Sequence, residues 1–203
     1  MESRPVSRVT LLNITIFVEA LLLLLATAWS QFARVELAGH MTLSARDILL
    51  GCLSGSAMAL TGTVIFWLGK SIGLLSQLRD IIYNYLIPLL CDLKWTDLFL
   101  LAAVSGFCEE IFFRGVVQAQ FGIWACSIAF GFFHDPSFKH VSYSIMAFLA
   151  GLALGALYLY TNNLWAPITA HVVHNLISLY ILRYIIKPPA IPSGEGEGEG
   201  DSN

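Results

Sequence analysis

Val9 to Trp29 is a run of 21 residues with a single charge, Glu19. A run of about 20 apolar residues is long enough to cross a bilayer. Similar runs occupy Asp47 to Leu68, Trp95 to Gln118, Val141 to Tyr160 and Leu164 to Ile186, with a shorter one from Phe121 to His134. Inside lipid the backbone must satisfy its own hydrogen bonds, so such runs fold as helices. The chain is 57% hydrophobic and only 12% charged, where a soluble domain carries about 25% charged residues. The expected fold is all-α: a polytopic transmembrane helix bundle of about 6–7 membrane helices in an integral membrane protein.

The first run follows Arg4 and Arg8 and has fewer positive charges after it, which predicts a cytoplasmic N-terminus. Ala26-Thr27-Ala28 resembles a signal-peptide cleavage site. The length of the run and Glu19 within it favour an uncleaved anchor, with Glu19 on a helix-packing face. Ser71 to Asp92 is apolar but is interrupted by Arg79, Asp80 and Asn84 and bent at Pro88. It reads equally as a surface amphipathic helix or as a weak span held by its neighbours. Gly151 and Gly155 stand at the G-x-x-x-G spacing of a close packing face. The four cysteines form no C-x-x-C pair and read as small buried hydrophobes. The expected divisions are N-terminal membrane segments over 1–94, a catalytic helical core over 95–187 and a disordered acidic Gly/Glu tail over 188–203.

One span carries charges it should not hold. Cys108-Glu109-Glu110-Ile111-Phe112-Phe113-Arg114 places three ionisable residues inside Trp95 to Gln118. Each charge at bilayer depth costs about 2.5 to 3.5 kcal/mol, so the three oppose insertion by roughly 9 kcal/mol if unpaired. Such a cluster must pair, face a wet cavity or do both, and it is a functional site by default. Glu110 and Arg114 are four residues apart, share a helix face and can pair. Glu109 points about 100° away and stays available.

Two further patterns follow: Phe130-x-x-x-His134 and His171-x-x-x-Asn175, with His174 beside the latter. Counting helix rise from a common membrane face puts Glu109 at about 13 Å, His134 at about 19 Å, His171 at about 10 Å and Asn175 at about 16 Å. All four then fall in one layer. A desolvated glutamate can take a proton from water. His134 can hold the same water, while His171 and Asn175 can donate to a carbonyl oxyanion. Individually, Glu110 with Arg114 and Phe130 read as structural, and a single histidine can simply bond a neighbouring helix.

These patterns, Glu-Glu-x-x-x-Arg, Phe-x-x-x-His and His-x-x-x-Asn on successive membrane helices, resemble the CPBP family. Its members are CAAX-protease and bacteriocin-processing proteins, the type II CAAX prenyl endopeptidases, which are intramembrane glutamic proteases. The resemblance covers Trp95 to Ile186. It implies that Glu109 activates water, that His134 positions it, and that His171 and Asn175 form the oxyanion donors. It also implies that Glu110, Arg114 and Phe130 shape the site. The implied activity is metal-independent hydrolysis of a peptide bond, with no cofactor. The implied partners are the lipid bilayer and a peptide or protein substrate at or in the membrane, CAAX-type or otherwise. No basic cluster points to nucleic acid.

Other readings stay open. Glu109, Glu110, His134, His171 and His174 could ligate zinc or iron in a metal-dependent hydrolase. Glutamate and histidine chains also serve proton-coupled transport, and the chain could be a non-catalytic scaffold that holds a membrane partner. No H-E-x-x-H or G-x-S-G occurs, and the only Gly-Asp step is Gly200-Asp201 in the tail, so H-E-x-x-H zinc proteases, rhomboid-type proteases and G-x-G-D proteases are disfavoured.

Overall fold

A computed structural model describes residues 6–69, 73–135 and 140–186. Arg4, Lys70, most of the turn after His134 and the acidic tail lie outside the described residues. The described residues are helical throughout, joined by short turns. They form α1 (Arg8–Ala33), α2 (Ala45–Leu68), α3 (Gly73–Ile81), α4 (Ile87–Leu90), α5 (Trp95–Glu110), α6 (Ala119–His134), α7 (Val141–Thr161) and α8 (Trp165–Tyr180). Wider π-helical turns link α3 to α4 over Ile82–Leu86, link α5 to α6 over Ile111–Gln118, and extend α8 over Ile181–Ile185. Five helical runs are long and apolar enough to cross a membrane, the longest being Trp95–His134 at 40 residues.

That longest run folds back on itself. Gly122, at φ 78°, breaks α6 near its start. A side chain at that φ is strained, so glycine is the residue that permits the corner. Beyond it Phe113 stacks on Phe130 and Phe133, and Arg114 lies over Phe130. These contacts pair α6 antiparallel with α5 and its π-helical extension. The 40-residue run therefore supplies two crossing rods, which brings the bundle to six.

Side-chain contacts set the direction of each rod. Arg8 at the start of α1 makes a bidentate bond to Asp97 at the start of α5, at 2.6 and 2.7 Å, so these helices are parallel and begin on one face. Asp97 also accepts from the Lys94 backbone N–H at 2.7 Å, capping α5. On the opposite face Asn163 donates to Asp47 at 2.9 Å and to the Thr42 carbonyl at 2.6 Å. Those bonds tie the start of α2 to the start of α8, which run parallel to each other and antiparallel to α1 and α5.

This topology decides the ambiguous segment. α2 ends on the face where α5 begins, so α3 and α4 leave and return on the same side. Leu78 and Ile82 pack against Phe66 at the end of α2, Tyr143 and Met146 at the start of α7, and Ile186 beyond α8. Arg79 stacks over Phe66 at 4.7 Å. The segment is a cover over the helix ends on the N-terminal face and does not cross.

Small residues allow the closest approaches. A Cβ on Gly51 would sit 2.6 Å from the Ala166 carbonyl oxygen, and one on Gly55 would strike the Ala170 carbonyl. Neither obstacle is a movable side-chain end, so α2 and α8 meet backbone to backbone. Gly55→Val is expected to lower stability by about 1–3 kcal/mol through overpacking. Thermal unfolding in detergent checks this.

Candidate active site

Glu110 and Arg114 are both fully buried, at 0% exposure. Arg114 Nη1 donates to Glu110 Oε1 at 2.7 Å. The sequence pairing at i,i+4 is thus present, and the wide turn that begins at Ile111 carries Arg114. Nη2 of Arg114 donates to the Gly151 carbonyl at 2.9 Å, and one turn further on Gln118 donates to the Gly155 carbonyl at 3.0 Å. Gly151 and Gly155 therefore do more than permit packing: their bare backbone supplies acceptors to polar side chains from the preceding hairpin.

His171 joins the same carboxylate. Its Nδ1 donates to Glu110 Oε1 at 2.7 Å. Glu110 thus ties α8 to α5, and Arg114 ties both to α7. With the Nδ1 proton committed to Glu110, Nε2 of His171 can donate outward only when the ring is an imidazolium. Phe130 sits at the junction, 4.6 Å under the Arg114 guanidinium, 4.4 Å from the His134 ring and 5.9 Å from the His171 ring.

Glu109 faces away from this triad. Its Oε2 lies 4.0 Å from His134 Nε2 and is buried without a hydrogen-bond partner among the described residues. His134 is the last residue of α6. Its Nδ1 donates to the Phe130 carbonyl at 2.8 Å, which leaves Nε2 as an acceptor in the neutral ring. Two acceptors cannot bond each other, and at 4.0 Å they are close enough for one water molecule to donate to both.

His134, His171, His174 and Asn175 line a cavity of about 440 Å³ between α2, α6, α7 and α8. Its remaining wall is mostly apolar, including Met58 and Ile65 from α2 and Met146 and Leu154 from α7. The N-terminal part of the chain thus contributes directly to the chamber. Asn175 donates to Ser105 Oγ at 3.0 Å, which leaves its second N–H for the cavity. Ser105 was not singled out in the sequence, because nothing local marks a serine one turn before the glutamates as the partner of a residue seventy positions later. Among the described residues, no group of three or more His, Cys, Asp or Glu side chains is disposed to hold a metal ion. The cysteines are free, and Cys126 donates to the Phe113 carbonyl at 3.2 Å.

Fold and site together define a polytopic helical membrane protein with a charged cluster buried within its bundle. Residues 92–177 match the family described as type II CAAX prenyl endopeptidase Rce1-like. The chain is also 32% identical over 84 residues to the uncharacterized protein YpbD of Bacillus subtilis (strain 168). That similarity covers 41% of this chain and 44% of the relative, so the chain matches less than half of that relative's length. No solved structure matches the chain.

Proposed function

We propose that the chain is an intramembrane endopeptidase that hydrolyses a peptide bond with water activated by Glu109, without a metal ion. The observation that carries this reading is the division of labour between adjacent glutamates. Glu110 is consumed by Arg114 and His171, while Glu109 faces His134 across 4.0 Å. Water held between Glu109 and His134 attacks the scissile carbonyl carbon as Glu109 takes its proton. Oxygen charge develops next to His171, whose Nε2 donates to it from the imidazolium form, and next to the free Asn175 N–H; the two donors stabilise it. Collapse of the tetrahedral species breaks the C–N bond, and the proton held by Glu109 passes to the leaving nitrogen.

The family and the apolar wall of the cavity support a substrate that is itself membrane-associated, with CAAX-type C-terminal peptides as the first class to try. The charge distribution supports a cytoplasmic N-terminal face. Arg8, Arg79, Lys94 and Arg183 lie at that face, against Arg34 and Arg46 at the other.

The test uses purified protein in lipid nanodiscs with a farnesylated CAAX-type peptide, with and without a strong chelator. Cleavage that persists in chelator is the expected result. Cleavage abolished by chelator and restored by zinc or iron would replace this mechanism with a metal-dependent one.

A further inference from the structure

His174 is a polar side chain on the cavity wall that the proposed reaction leaves unused. It lines the cavity together with His171 and Asn175. Its Nδ1 is buried and has no hydrogen-bond partner among the described residues. The nitrogen left to meet a ligand is therefore Nε2. A proton on Nδ1 would be an orphaned buried donor, a rarer arrangement than an unfilled lone pair. The neutral ring thus carries its proton on Nε2 and presents a donor to the cavity. An imidazolium would strand its second N–H in the same buried place. Leucine would fill this position with no polar atom to bury. A histidine there is explained by a ligand better than by packing.

The packing of α2 against α8 shows the room beside it. Gly55 stands against the Ala170 carbonyl. His174 follows Ala170 by four residues, so it shares the face of α8 that turns toward α2. On two parallel helices, four residues further also puts Ala59 level with His174. Met58 and Gly62, on either side of that level, line the cavity. A Cβ added to Gly62 would meet nothing within 4 Å, so α2 leaves space there. Helix spacing then sets what the donor can reach. His171 and His174 are three residues apart, about 5–6 Å between Cβ atoms. In an extended peptide, carbonyls pointing to one side recur every second residue, roughly 6.6 Å apart. A scissile carbonyl at His171 therefore brings the second one along to His174.

We propose that His174 is a substrate-binding residue: its Nε2–H donates to the main-chain carbonyl two residues from the scissile one in an extended peptide. This rests on the reading of the chain as an endopeptidase with His171 at the developing oxyanion. The bond is the same in the bound peptide and in the transition state, because that carbonyl does not react. It strengthens binding without assisting the chemical step. A carbonyl inside a helix is already bonded within it, so the site selects an unwound segment or a chain end.

The experiment compares full-length wild type with His174→Leu and His174→Gln in nanodiscs. It reads kcat and KM for the farnesylated peptide, thermal unfolding, and binding of the uncleaved peptide to Glu109→Gln protein with and without each His174 change. His174→Leu is expected to raise KM and Kd by about 3- to 10-fold, the worth of one hydrogen bond, with kcat within about twofold of wild type. Glutamine, whose side-chain N–H reaches the place of Nε2, should restore both constants. The Leu variant should unfold at the same or a higher temperature than wild type. Peptides with an alkene in place of the amide two residues before or after the scissile bond locate the carbonyl. One of the two should bind wild type as weakly as the parent peptide binds the Leu variant, and the Leu variant should lose nothing more. Unchanged KM and Kd in the Leu variant overturn the proposal. A Gln variant as weak as the Leu variant overturns it too, because the ring's shape and not its donor would then matter. Alkene losses that multiply with the Leu loss for both peptides have the same force. A fall in kcat at unchanged KM also overturns it and would move His174 into the chemistry. If wild type does not cleave the peptide, the parent reading fails by itself, and the binding measurements alone decide His174.

Discussion

Glu109→Gln is expected to lower peptide hydrolysis by about 10²- to 10⁴-fold, the range contributed by a positioned general base, while leaving the fold intact. The amide keeps the shape of the carboxylate and cannot take a proton from water. Little structure depends on the group it replaces. Glu109 Oε2 accepts no hydrogen bond among the described residues, and it faces His134 Nε2 at 4.0 Å. The unfolding temperature in detergent should therefore stay at the wild-type value as turnover collapses. His134→Ala should give a smaller loss, because the water would keep one of its two holders. In cells, C-terminal fragments of membrane proteins that disappear with Glu109→Gln would name the substrates. A phenotype that survives Glu109→Gln but not removal of the whole chain would show that hydrolysis is not its role and that the scaffold reading holds.

What the sequence shows of this bundle depends on the range of the physics involved. Spans are legible because hydropathy is local, and Val9 to Trp29 or Val141 to Tyr160 leaves little choice inside lipid. The Glu110–Arg114 pair is legible because helix geometry places i and i+4 together. The common depth of Glu109, His134, His171 and Asn175 follows from counting rise, and three of the four now line one cavity with Glu109 adjacent to His134. The fate of residues 71–92 was not legible. Arg79, Asp80 and Pro88 fit a surface helix and a supported span equally, and only long-range contacts, the Arg8–Asp97 and Asn163–Asp47 bonds among them, show that the chain begins and ends this segment on one face. Ser105 with Asn175, and the carbonyls of Gly151 and Gly155 beneath Arg114 and Gln118, depend on which helices become neighbours. No local pattern carries that information.

Arg114→Leu is expected to destabilise the protein by about 3–5 kcal/mol, the cost of stranding one member of a buried ion pair. That is a large part of the roughly 5–15 kcal/mol by which folded proteins are stable. Three consequences add up at this position. Glu110, at 0% exposure, keeps only His171 as a partner, the Gly151 carbonyl loses its side-chain donor, and the ring of Phe130 loses the guanidinium above it. Lysine would not substitute, since one ammonium cannot reproduce the planar fork that meets Glu110 and Gly151 together. The double variant Glu110→Leu/Arg114→Leu should unfold at a higher temperature than Arg114→Leu alone, because removing both charges leaves no uncompensated carboxylate. It should still be inactive, because Glu110 is also the anchor that fixes His171 Nδ1. Thermal unfolding of the three proteins in one detergent, followed by tryptophan fluorescence, reads the first effect, and peptide turnover reads the second. A double variant no more stable than Arg114→Leu would mean that the cost lies in lost packing around Phe130 and not in the stranded charge. A double variant that recovered turnover would mean that His171 needs no anchor. The pair and the free glutamate thus separate by experiment: loss of Glu109 should abolish chemistry in a protein of wild-type stability, and loss of Arg114 should weaken the bundle that brings Glu109 to His134.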